Sequence, residues 1–152
     1  MKTIFSICMV LFSVLCFSQH KIDSLKIELK NNSKKSTPYI DILNEIGYQY
    51  WIVDSNESLK YGLEALTFSD SLNYLKGKAK ANRVIGVAYW TRGNHLDAIK
   101  HLNDALKQNK TLNNREDIAN TTLNIAMVYA ALNENDKALN LYEDAINQFT
   151  AL

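Results

Sequence analysis

The sequence predicts an all-α chain built as a solenoid of stacked helix pairs. Three observations lead there. The hexapeptide Ile46-Gly47-Tyr48-Gln49-Tyr50-Trp51 returns 39 residues later as Ile85-Gly86-Val87-Ala88-Tyr89-Trp90, and a looser copy follows as Ile125-Ala126-Met127-Val128-Tyr129-Ala130. The stretches behind these copies also align: Ala98 falls on Ala138, Leu102 on Tyr142 and Ala105 on Ala145. In the first copy the turn is one residue shorter, and Ser58 and Ala65 take the Ala98 and Ala105 places. Finally, 152 residues hold only 5 Gly and 1 Pro, while 47% are hydrophobic and 10% aromatic. Self-similarity at such a period marks a stacked repeat. Scarce Gly and Pro favour helices over a turn-rich fold.

The first element is set apart from the rest. Lys2 precedes a mostly apolar run from Ile4 to Phe17, followed by Ser18, Gln19 and a polar stretch. A basic start, a short apolar run and small residues at a cut site make a secretory signal peptide. The run falls short of the roughly 20 residues of a membrane-spanning helix. Cleavage is expected after Ser18, with Cys16 and Ser18 at the −3 and −1 places, so residues 1–18 form the signal and export to a periplasm follows. The alternative is an uncleaved N-terminal membrane anchor, the one case in which the protein would meet a membrane. Leu15 is too bulky before Cys16 for a lipidation signal. Both cysteines, Cys8 and Cys16, lie in this segment. Its loss would remove any disulfide framework, Cys-ligated zinc or Cys nucleophile. Of 17 Lys and Arg only Lys2 lies there, which leaves 16 basic against 16 acidic residues. A neutral chain generates no field toward nucleic acid, and none is expected as a partner.

Residues 19–37 read as a short helix and a polar linker. Ile22, Leu25 and Leu29 make an amphipathic stretch, and Asn31 to Ser36 is polar. The repeats occupy 38–152, at about 38–75, 76–114 and 115–150. Thr37 is expected to cap the first helix with Pro38 in its first turn. Asp54 or Ser55, Asn94, and Asn133 or Asn135 are expected to cap the second helix of each pair, and Gly77 to stop a helix before the second pair. Leu96, Ile99, Leu102 and Leu106 recur at three- and four-residue steps, a helical stripe. Gly47, Gly86 and Ala126 stand mid-helix, where Gly costs about 1 kcal/mol against Ala. They make sense where a partner helix approaches too closely for a side chain, a need that Ala98, Ala138, Ala65, Ala105 and Ala145 would meet from the other side.

This pattern resembles the tetratricopeptide repeat (TPR). Ile85-Gly86, Tyr89, Ala98, Leu102 and Ala105 carry the resemblance in the second copy; Ile125-Ala126, Tyr129, Ala138, Tyr142 and Ala145 carry it in the third. It covers roughly residues 38 to 149. The family's early Trp is replaced by Leu43, Asn82 and Thr122, its closing Pro is absent, Gly62 stands where a large residue is usual, and the period is near 40 instead of 34. The resemblance implies a right-handed α-solenoid of three helix pairs that binds protein and performs no catalysis. It also implies a concave groove lined by the first helices. Carried over, its positions are Asp41, Asn44, Tyr48 and Trp51, then Lys80, Arg83, Val87 and Trp90, then Asn120, Leu123, Asn124 and Met127. This set mixes aromatic and polar groups around a small basic spot at Lys80 and Arg83. Trp51 and Trp90 either bind there or fill space between helices. Asn44 and Tyr48 stand where the carboxylate clamp of some members needs Lys and Asn, so a chaperone tail is not the expected partner. Ser18-Gln19 and Asp23-Ser24-Leu25 are similar to the exported repeat regions of Bacteroidetes sensor histidine kinases and regulators. That implies a periplasmic sensing or scaffolding part of a signalling protein; the alternative is a free-standing scaffold subunit of an envelope assembly.

No catalytic, cofactor or metal constellation emerges. His95 and His101 miss the i,i+4 spacing of a helical metal site, and His101 is expected on an exposed face. Glu116-Asp117 and Glu143-Asp144 are neighbours on helices, pointing apart on solvated faces. On the last helix, Leu139, Tyr142, Ile146 and Phe149 are expected to stay partly uncovered. Such a face tends to meet another surface: a second copy, a partner or further chain. One outcome can be read directly: protein isolated from its native host should have the intact mass of the chain without residues 1–18, whereas a full-length mass in the membrane fraction would establish the anchor.

Overall fold

The computed structural model describes residues 20–34 and 36–152; residues 1–18, expected to form a signal peptide, lie outside them. Among the described residues seven helices follow one another: α1 (residues 20–31), α2 (Thr37–Tyr50), α3 (Ser55–Ser71), α4 (Leu75–Thr91), α5 (His95–Thr111), α6 (Arg115–Ala131) and α7 (Asn135–Thr150). There is no strand among the described residues. No described helix is long and apolar enough to cross a membrane.

The period is long because the helices are long. From α3 to α6 each spans 17 residues, and three-residue turns at 72–74, 92–94, 112–114 and 132–134 join them. Every turn works alike. Its middle residue, Asn73, Gly93, Asn113 or Asn133, takes a left-handed conformation with φ of 51°, 78°, 52° or 60°. The next amide then reaches back to a carbonyl of the last helical turn: Tyr74 to Ser69, Asn94 to Tyr89, Asn114 to Asn109 and Glu134 to Tyr129, at 2.9–3.0 Å. This bond satisfies a carbonyl that the helix end would leave orphaned, and Asn and Gly are the residues that adopt the left-handed state most readily.

The caps depart from expectation in places. Asp54 caps α3, accepting from the amides of Asn56 and Glu57. Asn94 holds the cap position of α5 without a side-chain bond. α2 is capped by Ser36, whose hydroxyl accepts from the Tyr39 amide, and Thr37 is already helical. Glu134, between the two asparagines expected to cap, precedes α7, because Asn133 is spent on the left-handed turn. Gly77 stops nothing: it lies in the first turn of α4, and a Cβ there would come within 2.7 Å of Ile40 and 2.8 Å of the Ser69 hydroxyl. Close packing, not termination, explains that glycine.

The helix pairs close on their small residues. A Cβ on Gly86 would lie 2.6 Å from Leu102 Cγ and 3.2 Å from the Ala98 carbonyl oxygen, and one on Gly47 would lie 2.8 Å from Val84. Ala65, Ala98, Ala105, Ala126, Ala138 and Ala145 are all buried. Ser58, at the Ala98 place of the first pair, is buried too and donates to the Gly47 carbonyl at 2.7 Å. Gly62 lets α4 approach α3: a Cβ there would come within 2.9 Å of Ile85. Ile22 of α1 is fully buried against Ile42, Ile46 and Tyr50 of α2.

Each helix from α2 onward packs on the next, and first helices of successive pairs also touch, α2 with α4 and α4 with α6. The backbones of the second helices, α3, α5 and α7, stay farther apart. The stack therefore curves toward the α2–α4–α6 side. His101 is half-buried, contrary to expectation. Its Nδ1 lies 2.9 Å from Asn82 Oδ1, and its ring stacks on Tyr89. Burial pushes its pKa down. On α7, Leu139 and Ile146 stand 58% and 62% exposed, whereas Ile99 and Leu106, their counterparts on α5, are half-buried against the core.

The glycine roles separate cleanly in unfolding experiments. Gly86→Ala should lose about 1–2 kcal/mol in urea unfolding, because overpacking against Leu102 outweighs the helix-propensity gain. A Cβ on Gly93 would meet nothing within 4 Å. Gly93→Asn should therefore be nearly neutral, and Gly93→Ala should cost about 1 kcal/mol of left-handed strain.

Candidate functional site

Three helices on the inner side of the curve present side chains in matching rows. Asp41, Lys80 and Asn120 occupy one row, and Asn44 and Arg83 lie one turn further on. Together with Tyr48 these six border a cleft of about 340 Å³ spanning α2, α4 and α6. Glu45, Val84, Glu116 and Asp117 also line it, and none of them is among the groove positions carried over from the repeat. Glu45 lies four residues past Asp41 and Asp117 three before Asn120, so extending each row by one helical turn would have found both.

The charges are interlocked. The Arg83 guanidinium sits over the Tyr48 ring, 5.5 Å from its centre, and its Nη2 lies 3.7 Å from Asp117 Oδ1. The Asp117 carboxylate also accepts from the Asn114 side-chain amide at 2.7 Å. Asp41 accepts from the Tyr74 hydroxyl at 3.1–3.2 Å. Burial and the Asp41 carboxylate push that phenol up to about 12, so it remains a donor. Burial would push the Glu45 carboxyl up, but bonds from Lys21 at 2.6 Å and Gln49 at 2.9 Å outweigh this and hold it below its usual range. The expected basic spot at Lys80 and Arg83 is thus ringed by Asp41, Glu45, Glu116 and Asp117, four carboxylates against two cations. Asp117 is half-buried and faces the cleft, not a solvated face.

Asn44 is nearly inaccessible, at 3% exposed. Its Nδ2 donates to the Gly77 carbonyl at 3.0 Å, while its Oδ1 has no hydrogen-bond partner. Asn124 is half-buried, and its Oδ1 is likewise buried without a partner.

The remaining groove candidates do not border the cleft. Val87 is buried in the core beside Ile125 and Val128. Trp51 and Trp90 stack on each other, ring centres 6.3 Å apart at 27°, and pack against that same core. Leu123 and Met127 on α6 are half-buried. Among the described residues no group of three or more His, Cys, Asp or Glu is placed to hold a metal ion.

Comparison with known proteins agrees with the fold. Residues 77–151 match the family described as tetratricopeptide repeat. No curated protein matches the sequence. A Rap protein, solved in complex with competence and sporulation factor, superposes with a TM-score of 0.79 at 19% identity, over 89% of this chain and 40% of that one. BtubC (BKLC) from P. vanneervenii gives 0.68 at 21% identity, over 88% and 56%. A Podosopora anserina protein with nearly identical TPR-like repeats gives 0.62 at 14%, over 86% and 66%. At these identities the likeness is one of fold: a TPR-like solenoid. This chain spans 40% and 56% of the length of the first two.

Trp90 sits where its removal reads out packing. Trp90→Ala should destabilise the protein by about 2–4 kcal/mol, seen as a lower melting temperature, since it vacates the stack with Trp51 and part of the core.

Proposed function

We propose that this chain, whose residues 77–151 match the tetratricopeptide repeat family, is a non-catalytic protein-interaction module that holds a partner's segment in the cleft of α2, α4 and α6. The observation that carries this reading is the cleft itself: three successive first helices converge on one polar recess with an aromatic–arginine pair, Tyr48 and Arg83, at its wall. Tyr and Arg are residues enriched where binding energy concentrates. The Rap protein of similar fold was solved with a factor bound, so such a scaffold serves recognition there, which supports the same use here.

The setting belongs to the same proposal. The apolar run from Ile4 to Phe17 supports export, and Ser18-Gln19 with Asp23-Ser24-Leu25 resembles the start of exported sensor regions of Bacteroidetes. The chain then acts as a periplasmic sensing or scaffolding part of a signalling protein.

Capture from envelope extract tests the reading. The wild-type protein should retain a specific partner, and Tyr48→Ala combined with Asn120→Ala should weaken retention about tenfold or more with an unchanged melting temperature. Equal retention by wild type and the double variant would remove the cleft from the binding surface.

A further inference from the structure

We infer that the cleft selects a partner segment bearing a lysine or arginine side chain, its cationic group placed among Asp41, Glu116 and the Asn44 oxygen. The inference rests on the binding role proposed above and names the chemistry of the occupant.

The charge balance of the wall is the first support. Of the two cations that line the cleft, Arg83 is committed to Asp117 and to the Tyr48 ring, and Glu45 is already paired with Lys21, which leaves Lys80 alone against Asp41 and Glu116. On the acidic side, Asp41 is met only by a neutral phenol. Glu116 is exposed and makes no hydrogen bond or ion pair among the described residues. The uncompensated charge of the recess is therefore negative. An incoming carboxylate would meet repulsion from these groups, whereas an ammonium or guanidinium would be drawn in.

The second support is independent of charge count. Asn44 lines the cleft with a buried oxygen that lacks a donor. The amide cannot be turned to hide it, because Nδ2 is bonded to the Gly77 carbonyl. A buried acceptor without a partner is costly, and a ligand that brings N–H donors removes that cost. Lysine and arginine side chains carry donors only, three and five respectively. They suit the free acceptors Asp41, Glu116 and Asn44 on its wall.

Two labelled, end-capped heptapeptides, identical except that one carries two lysines and the other two glutamates, test this by fluorescence anisotropy on the protein purified from its native host. The lysine peptide should bind about tenfold tighter than the glutamate peptide, and more weakly as salt is raised to about 0.5 M. Glu116→Gln should weaken lysine-peptide binding severalfold, and Lys80→Gln should strengthen it; neither side chain belongs to the core, and thermal melts confirm folding. Tighter binding of the glutamate peptide, or a weakening by Lys80→Gln, overturns the charge assignment while leaving the cleft a binding site. Binding of neither peptide overturns it as well. The broader reading fails only if the combined Tyr48 and Asn120 variant leaves envelope capture unchanged.

Discussion

The close approach of paired helices at their glycine and alanine contacts governs the rest of this fold. Where Gly86 meets Leu102 and the Ala98 carbonyl, there is no room for even one methyl group without movement. Burying Gly mid-helix sacrifices about 1 kcal/mol of helix propensity, so the sequence accepts that loss only where contact returns more. The first pair solves the same problem differently, with Ser58 bonding the Gly47 carbonyl from the alanine position. Once the pairs are that close, the first helices can touch across repeats, and the inner layer that carries the cleft follows.

Helix identity and pair order were legible because period, stripe and small residues all pointed the same way. Helix ends were legible only in part. Asp54 announced itself as a cap, but Asn133 could serve either a cap or a left-handed turn, and the turn won because the recurring backbone bond to the preceding helix needs that conformation. Gly77 misled for a related reason. A glycine marks either backbone freedom or a near neighbour, and only three-dimensional proximity to Ile40 and Ser69 distinguishes them. His101 was misjudged because a polar residue on a second helix was assigned to solvent, whereas Asn82 of α4 offers it a partner out of the solvent.

The cleft was half legible. Matching rows on α2, α4 and α6 could be read from the repeat, and Asp41, Asn44, Tyr48, Lys80, Arg83 and Asn120 do share one recess. Its electrostatic character could not. Glu116 and Asp117 looked irrelevant as sequence neighbours that point apart, yet a recess running across three helices has walls wide enough to include both. The tryptophans show the opposite lesson: a repeated aromatic at a groove position turned inward to stack on its own counterpart.

The backbones of α3, α5 and α7 stand farther apart than those of α2, α4 and α6, so the repeats come closest along the inner side. The cleft draws its walls from those three inner helices, one from each pair. A ligand that fits it best at one spacing of the pairs would be linked to that spacing: by reciprocity, a contact that alters the curvature would change its affinity by the same free energy. A small rotation per pair adds up along a stack of this kind into a larger displacement at its end.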